Sequence, residues 1–147
     1  MVALFIGLVA YLVGGVTVCA IAFVLGGNDE RTVAKGLLLA AFATQLASVF
    51  GGTHWDGANW GVIAVDAAFF VWLAAVACRS VKFWPMWAAA SQLAGTVAHV
   101  PAILIPGFDK RLYLFSQPIW VVPLLAAILI GSLSASRATT RTHLAAE

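Results

Sequence analysis

Five apolar runs, each about 18 to 24 residues long, follow one another along this chain of 147 residues. The runs cover approximately residues 2–25, 33–50, 58–78, 84–105 and 112–133. An α-helix rises about 1.5 Å per residue, so about 20 residues are enough to cross the hydrocarbon layer of a bilayer. Because lipid satisfies no backbone hydrogen bond, such runs fold as helices or as a closed barrel. Their length and continuity predict an all-α fold, an integral membrane bundle of about five transmembrane helices.

The composition leads to the same fold class. Hydrophobic residues make up 63% of the chain and charged residues 10%, whereas soluble domains carry about 45–50% and about 25%. The net charge of +2 is small and the basic residues form no patch, so the sequence does not favour a nucleic-acid partner. The lipid bilayer is the expected partner. We expect a single helix bundle over residues 1–133 and a short cytoplasmic tail over residues 134–147.

The basic residues predict the orientation of this bundle. Six of them fall on one side of the predicted membrane, in or close to the first loop, the third loop and the tail: Arg31, Lys35, Arg79, Lys82, Arg137 and Arg141. Only Lys110 and Arg111 fall on the other side. Cytoplasmic loops carry an excess of Lys and Arg, so the N-terminus is predicted outside and the C-terminus in the cytoplasm. The predicted location is a bacterial inner membrane.

A weak internal repeat relates the first two predicted helix hairpins. Lys35 and Gln45 recur 47 residues later as Lys82 and Gln92. A duplication would give two hairpins of the same orientation, an arrangement that occurs in transporters. Alanine-rich apolar segments also resemble each other by chance, so both explanations stay open.

Small residues follow one face of the first predicted helix, namely Ala3, Gly7, Ala10 and Gly14. Small side chains let two helices approach closely within a membrane. The face therefore predicts helix packing, either within the bundle or between two copies of the chain.

An aspartate and a histidine are the most informative polar residues inside the predicted spans. Asp66 is the only acid within a span, and His99 lies at a similar depth on the next helix, so the two side chains are expected to meet. An ionisable group in a membrane is costly and usually has a partner, which makes the pair a candidate site. A histidine beside a carboxylate can titrate near neutral pH and pass a proton. Alternatively, the pair is a satisfied structural contact. A third interpretation is that His99 is a ligand for haem or a quinone.

Three glutamines join this pair as candidates: Gln45, Gln92 and Gln117. On the fourth predicted helix, Gln92, Thr96 and His99 recur at spacings of four and three residues and so share one face. A similar stripe includes Gln45 on the second helix, and the two stripes predict an inward polar seam. Alternatively, such side chains hold helices together, each contributing about 0.6 kcal/mol on average.

The predicted outer loop contains a second group of candidates. His54, Trp55 and Asp56 place an imidazole, an indole and a carboxylate next to each other at the membrane interface. This group could bind an extracellular ligand or a lipid head group, or it could anchor the loop at the interface as aromatic residues do.

No sequence motif indicates catalysis or a metal. The chain has no phosphate-binding loop, HExxH sequence, nucleophile elbow or Cys/His metal spacing, so we predict neither an enzyme nor a cofactor. The first hypothesis is a non-enzymatic small polytopic membrane protein, an accessory or interaction subunit that binds other membrane subunits or self-associates. The alternative is a small transporter, channel or ligand-binding bundle with a proton-linked site at Asp66 and His99. Haem or quinone binding through His99 is a third hypothesis.

The segment from Arg79 through Trp84-Pro85-Met86-Trp87 to Gln92, followed by His99, carries a resemblance. With the aspartate-bearing helix before it, it resembles a group of small uncharacterised multi-pass proteins of bacterial inner membranes, over about residues 60–100. The resemblance implies location and architecture, and no activity. Five helices with abundant tryptophan are also similar to the tryptophan-rich sensory protein family, but that family's proline-rich loop after the first helix is absent.

Overall fold

The computed structural model describes the backbone of residues 2–50, 59–105 and 110–144, and the side chains of residues 12–50, 59–105 and 119–138. Within these ranges the regular structure is entirely helical, which confirms the predicted all-α class. The helices are α1 (Val2–Leu25), α2 (Asn28–Phe50), α3 (Trp60–Arg79), α4 (Trp84–Val97), α5 (Val100–Leu104) and α6 (Lys110–Leu144).

Three of the described segments are long and apolar enough to cross a membrane: Asn28–Phe50, Trp60–Arg79 and Ile119–Ala138. A shorter apolar stretch covers Leu12–Leu25 in α1. These lengths are compatible with a membrane protein, while a bundle of about five spans stays a prediction. We call the end where α2 begins the inner end, following the predicted orientation, and the opposite end the outer end.

The helices pack in a ring that follows their order in the chain. From α1 to α4 each helix contacts the next, and α6 closes the ring by packing against α4 and α1. Helix α2 also contacts α6. The centre of the ring is filled by buried apolar side chains, including Leu73 on α3, Ala88 on α4, and Leu124 and Ile128 on α6. The bundle is therefore built around one continuous core.

The turn between α1 and α2 is tighter than the sequence predicted, because α2 begins at Asn28 and not near residue 33. A Cβ added to Gly26 would lie 2.4 Å from the carbonyl oxygen of Ala22, so only glycine fits this position. Asp29 and Glu30 then occupy the first turn of α2, where acids interact favourably with the helix dipole. The charged segment that resembled a loop is the first turn of a helix.

Asparagine fixes the start of α3. The side-chain oxygen of Asn59 accepts hydrogen bonds from the backbone N–H groups of Gly61 at 3.0 Å and Val62 at 3.3 Å. These donors lie in the first turn, where the helix itself offers no acceptor. The cap places the first residue of α3 at Trp60, two positions after the predicted start.

The predicted fourth helix is broken in two. Helix α4 ends at Val97, Ala98 and His99 form a turn, and α5 spans Val100–Leu104. Pro101 explains the break, since proline lacks an N–H group and its ring clashes with the carbonyl four residues earlier. The backbone N–H of His99 instead donates to the carbonyl of Thr96 at 3.2 Å. The prediction of one uninterrupted helix over residues 84–105 was wrong at this point.

Helix α6 is longer than predicted. It runs from Lys110 to Leu144, through Pro118 and Pro123, whereas the sequence predicted a helix over residues 112–133. Its 35 residues span about 52 Å, compared with about 30 Å for the hydrocarbon layer of a bilayer. Much of the segment predicted as a tail is thus a continuation of the helix.

Candidate functional site

The structure brings Asp66 and His99 into direct contact. Nε2 of His99 lies 2.8 Å from Oδ2 of Asp66, which is a short and strong hydrogen bond. Asp66 lies in the second turn of α3, and His99 lies in the turn between α4 and α5. The histidine is 1% exposed, whereas the side chain of Asp66 is 24% exposed. One partner is enclosed by the bundle and the other is reachable from its surface.

Gln92 completes this cluster, which we call the outer cluster (Asp66, Gln92 and His99). Nε2 of Gln92 lies 3.3 Å from the second carboxylate oxygen, Oδ1 of Asp66, and 3.4 Å from the Asp66 carbonyl. Both carboxylate oxygens therefore accept hydrogen bonds. Thr96, on the same face of α4, donates its hydroxyl to the carbonyl of Gln92 at 2.9 Å, within its own helix.

The outer cluster has two protonation forms of interest. With His99 neutral, Nε2–H donates to the Asp66 carboxylate and the cluster carries one negative charge. With His99 protonated, the same hydrogen bond becomes an ion pair and the cluster is neutral. Ligation of haem through Nε2 would require the hydrogen bond to Asp66 to open.

The structure does not bring Gln45 to the outer cluster. Its side chain is exposed on α2, so the prediction that it contributes to an inward polar seam was wrong. At about 100° per residue, the nine residues from Gly36 to Gln45 make about two and a half turns, which puts the two residues on opposite sides of the helix. Gly36 is buried against the rings of Phe69 and Trp72 on α3, and Gln45 therefore faces the opposite way. Ser48, on the same predicted stripe, donates its hydroxyl to the Thr44 carbonyl at 2.8 Å.

Four other predicted site residues receive no side-chain position. His54, Trp55 and Asp56 lie outside the described residues. Gln117 lies on the described backbone of α6, but its side chain is not described. Their roles stay predictions.

A second polar cluster, which sequence reasoning missed, lies at the inner end. The carboxylate of Glu30 is fully buried and receives four hydrogen bonds. Oε1 accepts from Nζ of Lys82 at 2.8 Å and from Nε1 of Trp84 at 2.9 Å. Oε2 accepts from the same Nζ at 2.9 Å and from the backbone N–H of Gly27 at 2.9 Å. We call Glu30, Lys82 and Trp84 the inner cluster.

The inner cluster joins three parts of the chain. It links the α1–α2 turn to the α3–α4 turn, and beside it Asp29 accepts a hydrogen bond from the Ser80 hydroxyl at 2.7 Å. The Trp84 ring also packs against Gly131 on α6, where an added Cβ would lie 2.6 Å from the indole. The sequence suggested an orientation signal for Lys82 and no contact between Lys82 and Glu30. The glycine pair shortly before two acids was the available signal that these residues sit in a tight turn.

The two clusters are separated by an apolar layer. Trp84 and His99 are fifteen residues apart in the chain, which corresponds to about 22 Å at the rise of an α-helix. Between them, Ser91 donates to the Trp87 carbonyl and Ser132 to the Ile128 carbonyl, each at 2.8 Å and within its own helix. Among the described residues, no three His, Cys, Asp or Glu side chains lie together as a metal site would require.

Over the described residues the regular structure is all-helical, three helices are long and apolar enough to cross a membrane, and an ionisable pair joins α3 to the α4–α5 turn. Comparisons with protein-family models, with curated proteins and with solved structures give no match. The resemblance to small multi-pass proteins of bacterial inner membranes therefore stays an expectation, and the function has to be argued from the chain itself.

Proposed function

We propose that the chain is a non-enzymatic small polytopic protein of a bacterial inner membrane that acts as an accessory or interaction subunit. The observation that supports this role most directly is the closed apolar layer between the inner and outer clusters. Phe69, Leu73, Ala88, Leu124 and Ile128 fill this layer and are at most 6% exposed. Among the described residues it offers no polar passage along the bundle, so the interior serves packing and the outer surface is left for interaction.

The outer surface supports the same proposal. Large apolar side chains are exposed on every long helix, for example Val16 on α1, Leu39 on α2, Val71 on α3, Trp87 on α4 and Val122 on α6. An extended apolar surface of this kind marks contact with a membrane or with protein partners. Among the described residues, no atom lies within 4 Å of a Cβ added to Gly14 on α1, so this member of the small-residue face has room for a neighbouring helix.

In this proposal the polar clusters hold the helices together. The outer cluster ties α3 to the α4–α5 turn, and the inner cluster ties the two inner turns together. Both oxygens of each carboxylate accept hydrogen bonds, which fixes the register of the helices. A stable helical frame of this kind presents a constant lateral surface to other subunits.

A pull-down from native membranes in a gentle detergent tests the proposal. We expect a stoichiometric membrane partner, or a defined assembly of the chain itself, identified by mass analysis of the purified material. Asp66→Asn and His99→Ala should still insert and fold, and should alter only stability or assembly. Val97→Ala is a matched control, because Val97 is exposed on α4 close to the same turn. A monomer with no partner would contradict the proposal.

One observation favours a second candidate, a small transporter, channel or ligand-binding bundle with a proton-linked site. The Asp66 side chain is partly exposed although its histidine partner is enclosed, so protons or a small ligand can reach one side of the pair. Proton flux in liposomes containing a pH-sensitive dye distinguishes the candidates. Flux that Asp66→Asn abolishes without loss of folding would replace the accessory role with this one.

A further inference from the structure

We infer that the inner end of the bundle binds one anionic phospholipid in a groove between α4 and α6. The inference rests on the proposed membrane location and adds a ligand to it. The groove, which we call the inner groove, has a volume of about 680 Å³. One wall is the start of α4, with Phe83, Trp84 and Trp87, and the other is the face of α6 from Pro123 to Ala138.

The inner groove is long and apolar enough to hold an acyl chain. Ala138 lies fifteen positions after Pro123, which corresponds to about 22 Å along α6, whereas one leaflet of the hydrocarbon layer is about 15 Å deep. Small residues form most of the α6 wall: Ala126, Ala127, Gly131, Ser134 and Ala135. Both turns at the inner end, residues 26–27 and 80–83, belong to the described chain and leave the groove open.

A lysine at the inner end of the groove has a hydrogen-bond donor to spare. Nζ of Lys82 donates to the two oxygens of Glu30 at 2.8 and 2.9 Å, and an ammonium group has three donors. The nearest other described carboxylate oxygen, Oδ2 of Asp29, is 3.9 Å away, too far for a hydrogen bond. Lys82 lines the groove and its side chain is 37% exposed, so a phosphate group in the groove can approach the third donor.

Arg137 provides a second cation on the same side of α6. It follows Ile130 by seven residues, about two turns, so it lies on the helix face that lines the groove. It is exposed and forms no ion pair with a described residue. Gly131 contacts Trp84, and Arg137 lies about 9 Å further along α6 towards the inner end. Lys82 and Arg137 therefore flank the end of the groove where a head group would lie.

The overall charge of the inner end favours an anionic ligand. Its described residues include five bases and two acids, an excess of three positive charges: Arg31, Lys35, Arg79, Lys82 and Arg137 against Asp29 and Glu30. Basic pockets between transmembrane helices bind anionic lipid head groups on the cytoplasmic side. An acyl chain has no polar group, so it fills the apolar groove without leaving a backbone N–H or C=O unpaired, as an extended peptide would. Charge and apolar shape together therefore favour a phospholipid over a peptide.

Native mass spectrometry of the full chain in a gentle detergent tests the inference. The protein is stripped of lipid and mixed with equal amounts of phosphatidylglycerol and phosphatidylcholine that have the same acyl chains. We expect one phosphatidylglycerol per chain, bound in preference to phosphatidylcholine. Arg137→Gln should lower its association constant about fivefold, the factor that one basic residue contributes near anionic lipid. Arg31→Gln is the matched control and should bind as the unchanged chain does, because Arg31 is exposed at the same end but on α2, which does not line the groove.

A second pair of variants tests the groove without changing the charge. Ala126→Phe places a ring in the groove and should abolish lipid retention. Ala75→Phe is the control, since Ala75 is exposed on α3 outside the groove. Circular dichroism should show equal helicity in all four variants.

Three results would overturn the inference. Equal losses in Arg137→Gln and Arg31→Gln would show that only the overall charge attracts the lipid. Equal retention of the two lipids would show that the site does not select an anionic head group. Undiminished retention in Ala126→Phe would show that the lipid lies outside the groove.

The outcomes also separate this inference from the accessory role. Retained phosphatidylglycerol on a monomer without any protein partner would contradict the accessory role and support the lipid site. A stoichiometric protein partner together with no retained lipid would support the accessory role and contradict the lipid site.

Discussion

The indole of Trp84 donates its Nε1 hydrogen to Oε1 of Glu30 across 2.9 Å, and neither residue is more than 7% exposed. This bond connects the first turn of α2 with the first turn of α4. Glu30 also binds the Lys82 ammonium group, so one carboxylate unites two turns that are far apart in the chain. The Glu30 carboxylate of the inner cluster accepts four hydrogen bonds.

We expect Glu30→Gln to destabilise the bundle by about 1.5–3 kcal/mol, because hydrogen bonds to a charged group contribute that much. The substitution keeps the side-chain shape but removes the charge that faces Lys82. Asp29→Asn is the matched control, since the Asp29 side chain is 32% exposed and its more distant contact with Lys82 should contribute less than about 1 kcal/mol. Unfolding in mixed micelles, followed by tryptophan fluorescence, measures the difference. Equal losses in the two variants would show that burial of Glu30 has no special effect.

A pair of glycine substitutions tests the packing of α6. An added Cβ at Gly131 would lie 2.6 Å from the Trp84 indole, so Gly131→Ala should cost about 1–3 kcal/mol through overpacking. At Gly95 the nearest atom is 3.5 Å away, an ordinary contact, so Gly95→Ala should be neutral or stabilising by up to about 1 kcal/mol. The free energy of unfolding of each variant checks the contrast, and a destabilised Gly95→Ala with a neutral Gly131→Ala would contradict it.

Substitutions in the outer cluster should have graded effects on stability. Asp66→Asn keeps the shape of the side chain and should lose about 0.6–1.7 kcal/mol, the range for interhelical hydrogen bonds in membranes. His99→Ala should lose more, because it also leaves a cavity at a buried position. Thr96→Val serves as the control, since the Thr96 hydroxyl donates to a carbonyl of its own helix. Unfolding midpoints in detergent provide the ranking; a Thr96→Val variant less stable than His99→Ala would contradict it.

The orientation can be measured in intact cells. In a background without Cys19 and Cys78, Asn28→Cys should be protected from a membrane-impermeant thiol reagent, because the inner end is predicted to face the cytoplasm. Trp60→Cys, at the first residue of α3, should be labelled, since the native side chain there is 67% exposed. Labelling of the Asn28→Cys variant together with protection of the Trp60→Cys variant would mean that the predicted orientation is inverted.

The predictable part of the structure follows from hydropathy and from depth along helices. The apolar runs indicated the all-helical class, and counting residues from the helix ends placed Asp66 and His99 at one level, where the structure has them in contact. Rotation of a helix about its own axis is less predictable. Lipid and the bundle core are both apolar, so the pattern around Gln45 does not distinguish an inward face from an outward one.

The sequence pattern also did not predict the contacts between turns that are far apart in the chain. Glu30 lies between the first two apolar runs and Lys82 between the third and fourth, and only the tertiary fold shows that they share one site. The helix break at His99 could have been predicted from the sequence, because proline at position 101 disfavours helix in the residues before it. Residues 84–105 form one continuous apolar run, and for that reason they were predicted as a single helix.

The connection between Glu30 and Lys82 spans 52 positions in the chain, which has a consequence for how the protein is made. Synthesis proceeds from the N-terminus, so Glu30 is in place before Lys82 leaves the ribosome. During that interval the Glu30 carboxylate lacks the Lys82 ammonium group. Because Glu30 lies in the first turn of its helix, water can solvate the carboxylate instead. A glutamate in the middle of an apolar run would have to stay unpaired in lipid until its partner was synthesised. The position of the inner cluster at the predicted membrane boundary thus makes the order of synthesis compatible with the order of assembly.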